Sequence, residues 1–181
     1  MNEQTIYYDE VGSPIGPLLL AATDKGLCRI DFGGYADHAE ELTAWTERYC
    51  PGAGWMHAPQ HPVVSAAAEQ LAEYFAGGRE SFELPLDLWG TPFQTKVWQA
   101  LTEVPFGAVC SYKHIAEAIG QPKAVRAVGG ANNRNPVPVI VPCHRVIGAS
   151  GEMVGYGGGL SIKRHLLDLE KGRPEPTAGG V

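Results

Sequence analysis

The apolar run Val137-Pro138-Val139-Ile140-Val141 is stopped by Pro142 and followed at once by Cys143-His144-Arg145-Val146. Such a run predicts a buried strand, and a proline at its end cannot continue the ladder. A thiol beside an imidazole at the mouth of a buried strand is held rigidly and stays reachable. A nucleophile needs both properties.

A chain of 181 residues suits one large domain or two small ones. Its apolar fraction of 44% supports a core without staples. No apolar stretch is long enough to cross a membrane. The start, Met1-Asn2-Glu3-Gln4-Thr5, has neither the basic nor the apolar region of a signal peptide, so an intracellular, cytoplasmic protein is expected. The cysteines Cys28, Cys50, Cys110 and Cys143 show no Cys-x-x-Cys pair and no zinc-ligand spacing. Free thiols in a reducing compartment follow, with Cys28, Cys50 and Cys110 as small apolar residues. The net charge is −6, but residues 111–147 hold five basic residues against Glu117 alone. That stretch is +4 and the remainder −10, a distribution compatible with binding a polyanion through one face.

Along the chain, residues 5–8, 17–22 and 26–32 are expected to be extended, with a turn at Asp24-Lys25-Gly26. Residues 36–49 have helical composition. The Pro/Gly-rich stretch 51–62, with Trp55 inside it, is expected to be a loop. Val64, Ala67, Ala68, Leu71 and Phe75 recur at helical spacing over 63–76, and Gly77-Gly78 ends that helix. Residues 82–88 are extended. Thr91 then caps and Pro92 opens a helix over 93–104. Ser111 caps a short helix, 112–119, ended by Gly120, and Pro122 opens a second over 123–132. Two short helices joined by a tight turn make a helix-turn-helix, the second being the recognition helix. Gly129-Gly130 in that helix permit a close approach to another surface. A Gly-rich loop, 148–159, carries Tyr156, and Ser161 caps the last helix, 162–170. The organisation expected is an α/β domain over 1–88, a second, mainly α domain over 89–172, and a disordered tail over 173–181.

A free thiol has a pKa of about 8.5, so a neighbouring base or cation must raise its thiolate fraction. A histidine is oriented by a carboxylate on its other nitrogen, for which Glu170 is the first candidate and Asp168 the second. Adjacent strand side chains point apart, so cooperation of Cys143 with His144 requires a turn there or a bridging water.

The segment from Asn135 to Val146 resembles the active-site signature of the 6-O-methylguanine-DNA methyltransferases. The likeness extends through Ser111-Tyr112, residues 122–131, Gly155-Tyr156 and the last helix, from Thr91 to about Glu170. The resemblance implies a ribonuclease-H-like α/β first domain and a winged helix-turn-helix second domain. It implies DNA repair by irreversible, stoichiometric transfer of an alkyl group from 6-O-alkylguanine, and also 4-O-alkylthymine, in double-stranded DNA. By that resemblance Cys143 is the acceptor, His144 takes its proton through a water, and Glu170 orients His144. Asn135 braces the turn between recognition helix and acceptor, and Tyr112 gives its proton to the departing guanine. Arg126 enters the duplex as the nucleotide flips. Ala127, Gly129, Gly130 and Arg134, with Tyr112, contact DNA through the minor groove. Pro138, Val146, Tyr156 and Gly157 line the base pocket. No cofactor is implied, and a monomer is expected. Some relatives hold zinc in the first domain, but Thr23 and Arg29 stand in that region here, so no metal is expected. Asn132-Asn133-Arg134 departs from the pattern, and Gly157 leaves the pocket wall bare, which favours entry of alkyl groups larger than methyl. Three other functions compete with this one: a lesion binder without chemistry, a Cys-His-Glu hydrolase, which would need an oxyanion hole, and a winged-helix regulator, which would leave the Cys-His pair idle.

Overall fold

The computed structural model describes residues 4–152 and 155–171. The chain divides into two compact units between Gly90 and Thr91. In the first, strands β1 (Thr5–Val11), β2 (Leu18–Thr23) and β3 (Gly26–Phe32) form an antiparallel meander. The continuous apolar run of β2 is buried along its whole length, as expected for a strand covered on both faces. A 3-10 turn, Tyr35–His38, precedes helix α1 (Ala39–Tyr49), so the helix expected from residue 36 begins three residues later.

The stretch expected to be a loop contains a strand, β4 (Gly54–His57). It pairs parallel with β1, Ile6 opposite Trp55, and completes a sheet of order β3-β2-β1-β4. Helix α1 supplies the crossover that a parallel pair requires. The Trp55 indole N–H donates to Thr46 Oγ1 at 2.9 Å, tying the strand to that helix. Four residues between turn formers carry too little pattern to be seen in sequence; the pairing partner makes the strand. Helix α2 (Pro62–Phe75) follows with Pro62 in its first turn, and its burial of Val64, Ala67 and Leu71 is that expected from the spacing.

The core of this unit includes Ile6, Ala21 and Cys28, with Tyr8, Trp45, Ala53, Trp55 and Trp89 packed against it. Trp45 and Trp89 stack at 4.6 Å, and the Arg29 guanidinium lies 4.9 Å from the Trp45 ring. Arg29 is buried in an ion pair with Asp31 (2.7 Å) and reaches Glu41 (2.8 Å). Thr23 Oγ1 donates to Asp87 Oδ2 at 2.6 Å. Among the described residues, Asp31, His38 and Glu41 bring three possible ligand atoms within 4.8 Å of one another, with Arg29 already bonded to both carboxylates. Burial raises the Cys28 and Cys110 thiols above their ordinary value, which keeps both protonated.

The second unit opens with α3 (Pro92–Leu101). Thr91 Oγ1 accepts from the Gln94 N–H at 3.1 Å, and Gln94 Oε1 accepts from the Thr91 N–H at 3.0 Å, a reciprocal cap. Then come β5 (Cys110–Ser111), α4 (Tyr112–Ala118), α5 (Val125–Asn133), β6 (Val146–Ile147) and α6 (Leu160–Glu170). β5 and β6 pair in parallel beside the helix-turn-helix of α4 and α5. The fully buried Trp98 donates its indole N–H to Ala131 O at 2.8 Å, locking α3 onto α5. Two helix starts differ from expectation. Pro122 lies in the turn before α5, which begins at Val125. Gly159, at φ 97°, caps α6, so Ser161 sits inside the first turn. The expected tail, 173–181, lies outside the described residues. Among the described residues no helix is long and apolar enough to cross a membrane.

Two glycine substitutions should have opposite effects. A Cβ on Gly26 would lie 2.6 Å from Pro85 O, so Gly26→Ala should lower stability by about 1–3 kcal/mol. A Cβ on the exposed helical Gly130 meets nothing within 4 Å, so Gly130→Ala should raise stability by about 0.5–1 kcal/mol. Urea unfolding of both variants measures the two signs.

Candidate active site

The segment before the cysteine is buried as expected, but it is not a strand. Val141 N–H donates back to Val137 O at 2.9 Å, Pro138 and Val141 form one isolated bridge, and Val139 has φ 75°. A β-branched residue in the left-handed region costs on the order of 1–3 kcal/mol. The surroundings hold it there: Val137, Val139 and Val141 are all buried, and Asn135 clamps both ends of the loop. Asn135 Nδ2 donates to Val141 O at 2.8 Å, and Asn135 Oδ1 accepts from the Val137 N–H at 2.9 Å. A side-chain amide thus supplies the hydrogen bonds that a neighbouring strand would have supplied.

Cys143 N–H donates to Val141 O at 2.8 Å, and Cys143–Arg145 form a 3-10 turn. The turn that cooperation between Cys143 and His144 requires is therefore present. Cys143 is 4% exposed. Burial pushes its thiol up to about 11, while a hydrogen bond from Asn135 and the Lys163 charge pull it down.

His144 is fully buried, and its Nε2 lies 2.6 Å from Glu170 Oε2. Asp168 is exposed; of the two candidate carboxylates, Glu170 meets the imidazole. Arg145 binds the same carboxylate, Nε to Oε1 at 2.8 Å and one terminal nitrogen to Oε2 at 3.0 Å, and donates its other terminal nitrogen to Val104 O at 2.7 Å. Facing a carboxylate, His144 Nε2 carries the proton, which leaves Nδ1 a bare acceptor. That Nδ1 is buried and has no hydrogen-bond partner among the described residues. Burial lowers the His144 pKa; Glu170 opposes this, and Arg145 and Lys163 reinforce it. The ring is thus held neutral, with Nδ1 able to accept a proton.

Tyr112 opens α4, which Ser111 caps by accepting from the His114 N–H at 3.1 Å. Burial and then the Cys143 charge raise the Tyr112 hydroxyl above its ordinary value, so the phenol stays protonated near the sulfur. A Cβ on Gly129 would stand 4.0 Å from Tyr112 Cε1. On α5, Val128, Ala131 and Asn132 face inward, while Arg126, Ala127 and Gly130 are exposed, as is the capping Arg134. Pro138 and Val146 are buried, Tyr156 is half-buried and Gly157 is exposed with nothing near its Cβ position. Gly155 has φ 36°, and a Cβ there would lie 3.3 Å from Asn133 Oδ1, so this loop rests on the end of α5.

Three residues escaped the sequence reading of the site: Arg145, Lys163 and Asn132. Lys163 is fully buried and donates to Val146 O at 2.7 Å. Its spacing from Glu170, seven residues on one helix, puts both on the same face, a signal that was available. Arg145 stood within the motif, but nothing in the sequence tells a buried arginine from a surface one.

Chain comparisons fit this geometry. Residues 6–88 match the model of the 6-O-methylguanine DNA methyltransferase, ribonuclease-like domain, and residues 92–172 that of its DNA binding domain. The chain is 48% identical over 166 residues to a methylated-DNA–protein-cysteine methyltransferase of Methanosarcina barkeri, covering 92% of this chain and 98% of that one. It is 47% identical over 167 residues to the Mycobacterium leprae protein of the same name, covering 92% and 93%. The crystal structure of Mycobacterium tuberculosis O6-methylguanine methyltransferase aligns with TM-score 0.76 and 43% identity over 94% of this chain and 95% of that one. The M. tuberculosis OGT in complex with DNA aligns with TM-score 0.75 and 43% identity over 91% and 92%.

Glu170→Gln removes the counter-charge of a buried arginine and should cost about 3–5 kcal/mol in urea unfolding. His144, whose pKa is lower folded than unfolded, contributes stability above the unfolded value of 6.5 and loses it as pH falls below that. Unfolding free energies of the wild type should therefore drop more steeply from about pH 7 to pH 5 than those of His144→Gln.

Proposed function

The chain belongs to the 6-O-methylguanine DNA methyltransferase family, a family of DNA-binding repair methyltransferases, and from that premise we propose that Cys143 itself accepts the alkyl group. The observation that carries this reading is the buried line from Cys143 through His144 to Glu170, set on a turn beside α5 of the helix-turn-helix.

The lesion is 6-O-alkylguanine in duplex DNA. Its alkyl carbon lies within the base stack, so the nucleotide must be extruded, at a cost of a few kcal/mol. α5 meets the minor groove through Ala127, Gly129, Gly130 and Arg134, and Arg126 fills the gap left by the flipped nucleotide. Pro138, Val146, Tyr156 and Gly157 receive the base. The thiol proton passes through a water to His144 Nδ1, and Glu170 stabilises the imidazolium that results. Thiolate sulfur attacks the alkyl carbon, an S–C bond forms, and the C–O bond breaks with its electron pair leaving on guanine. Tyr112, kept protonated, gives that guanine its proton, and the proton that His144 took from the thiol returns through water to restore the Tyr112 hydroxyl, so the proton count closes. The thioether product has no leaving group, so each molecule acts once, as a monomer and without a cofactor. The open wall at Gly157 admits alkyl groups larger than methyl, and 4-O-alkylthymine is a second substrate. A lesion binder of the same fold without chemistry would have no use for a cysteine at 143.

Incubation with a duplex carrying 6-O-methylguanine should add one methyl per protein molecule, located by mass spectrometry on the Cys143 peptide, with no turnover. Cys143→Ser should bind the lesion and transfer nothing. An unmodified Cys143 peptide after tight lesion binding would overturn the reading.

A further inference from the structure

In the sequence Asn132 belongs to a stretch that departs from the family pattern. The structure takes it away from the DNA-facing side of α5. Its side chain is 2% exposed and donates Nδ2 to Cys143 O at 3.5 Å. The same amide leaves Oδ1 buried without a hydrogen-bond partner among the described residues. Rotating the amide does not cure this, because it would set Oδ1 against the Cys143 carbonyl oxygen. Burying an amide oxygen unpaired costs on the order of 1–3 kcal/mol, so a donor is called for.

A second acceptor has the same need. His144 Nδ1 is buried, bare and unpartnered, on the residue after Cys143. The cysteine S–H offers one proton, which leaves two acceptors and one donor around a single turn. A water balances that count: it donates one hydrogen to each acceptor and accepts from the thiol. Three partners is the usual number for a buried water.

We propose that Asn132 is a positioning residue for alkyl transfer, its Oδ1 fixing the water that carries the Cys143 proton to His144 Nδ1. This rests on the alkyl-transfer reading and extends it to a residue of the recognition helix. As the thiol proton moves onto the water oxygen, one of the water's own hydrogens moves to Nδ1, and the other stays on the water, donated to Asn132 Oδ1. No atom is gained or lost. The charged and titratable groups around the pair are Glu170 and Lys163 from α6, Arg145 from the turn and Tyr112 from α4. Asn132 adds no charge to that set, so its replacement by leucine leaves those charges in place and removes the water's second anchor together with the long Nδ2 bond to Cys143 O.

The test is single-turnover methyl transfer from a 6-O-methylguanine duplex by the wild type and Asn132→Leu across neutral to alkaline pH. The variant should transfer about tenfold to a hundredfold more slowly at neutral pH and recover as pH rises and the thiol ionises unaided. Lesion-duplex affinity, measured in a Cys143→Ser background, should change by less than about twofold. A crystal structure of the wild type at high resolution should show one water bonded to both Asn132 Oδ1 and His144 Nδ1. The inference is overturned by wild-type rate and pH profile in the variant, or by a protein group occupying either acceptor. If Asn132→Leu does not fold, the crystal structure decides alone. If the wild type takes up no methyl, the alkyl-transfer reading fails, while the crystallographic water site still decides where Asn132 acts.

Discussion

One buried carboxylate organises the second unit. Glu170, at the end of α6, accepts from His144 on one oxygen and from Arg145 on both. An unpaired carboxylate at that depth would cost several kcal/mol; the arginine makes the site affordable, and Val104 O takes the guanidinium's remaining reach. The cost of burying these charges is met only in this arrangement, so the 3-10 turn, the last helix and the turn that follows α3 are fixed together. Because Arg145 already neutralises Glu170, the imidazole gains less from the carboxylate than in an isolated pair. Burial then keeps it neutral and able to accept a proton.

Helix α5 is joined to the turn that carries Cys143 by asparagines. Asn132 reaches the Cys143 carbonyl, Asn133 lies against the loop at Gly155, and Asn135 holds the loop that ends at Val141. An amide has both donor and acceptor and can close a turn where no strand is available. The helix proposed to meet DNA and the cysteine proposed to take the alkyl group are thereby parts of one hydrogen-bonded assembly, in which buried polar groups are strong when satisfied and costly when not.

The local signals in the sequence were legible wherever periodicity or capping chemistry acts over a few residues. Thr91, Ser111 and the glycines after the helices did what their chemistry requires. The failures share a cause. β4 exists because β1 offers it a partner, and the run from Val137 to Val141 turns because Asn135 outcompetes the strand that its composition favours. In both, a partner distant in sequence, or a side chain acting as backbone, overrode local preference.

Sequence by itself determined the chemistry on offer: a cysteine, a histidine and a carboxylate of recognisable spacing, a helix-turn-helix with small residues, and a family resemblance spanning the second unit. Tertiary structure alone decided which carboxylate meets His144, that Arg145 and Lys163 are buried beside it, and that Asn132 turns inward. The physical reason is that the protonation state and partner of a buried polar group depend on everything packed around it, and that packing joins residues from α3 to α6 that are far apart in the chain.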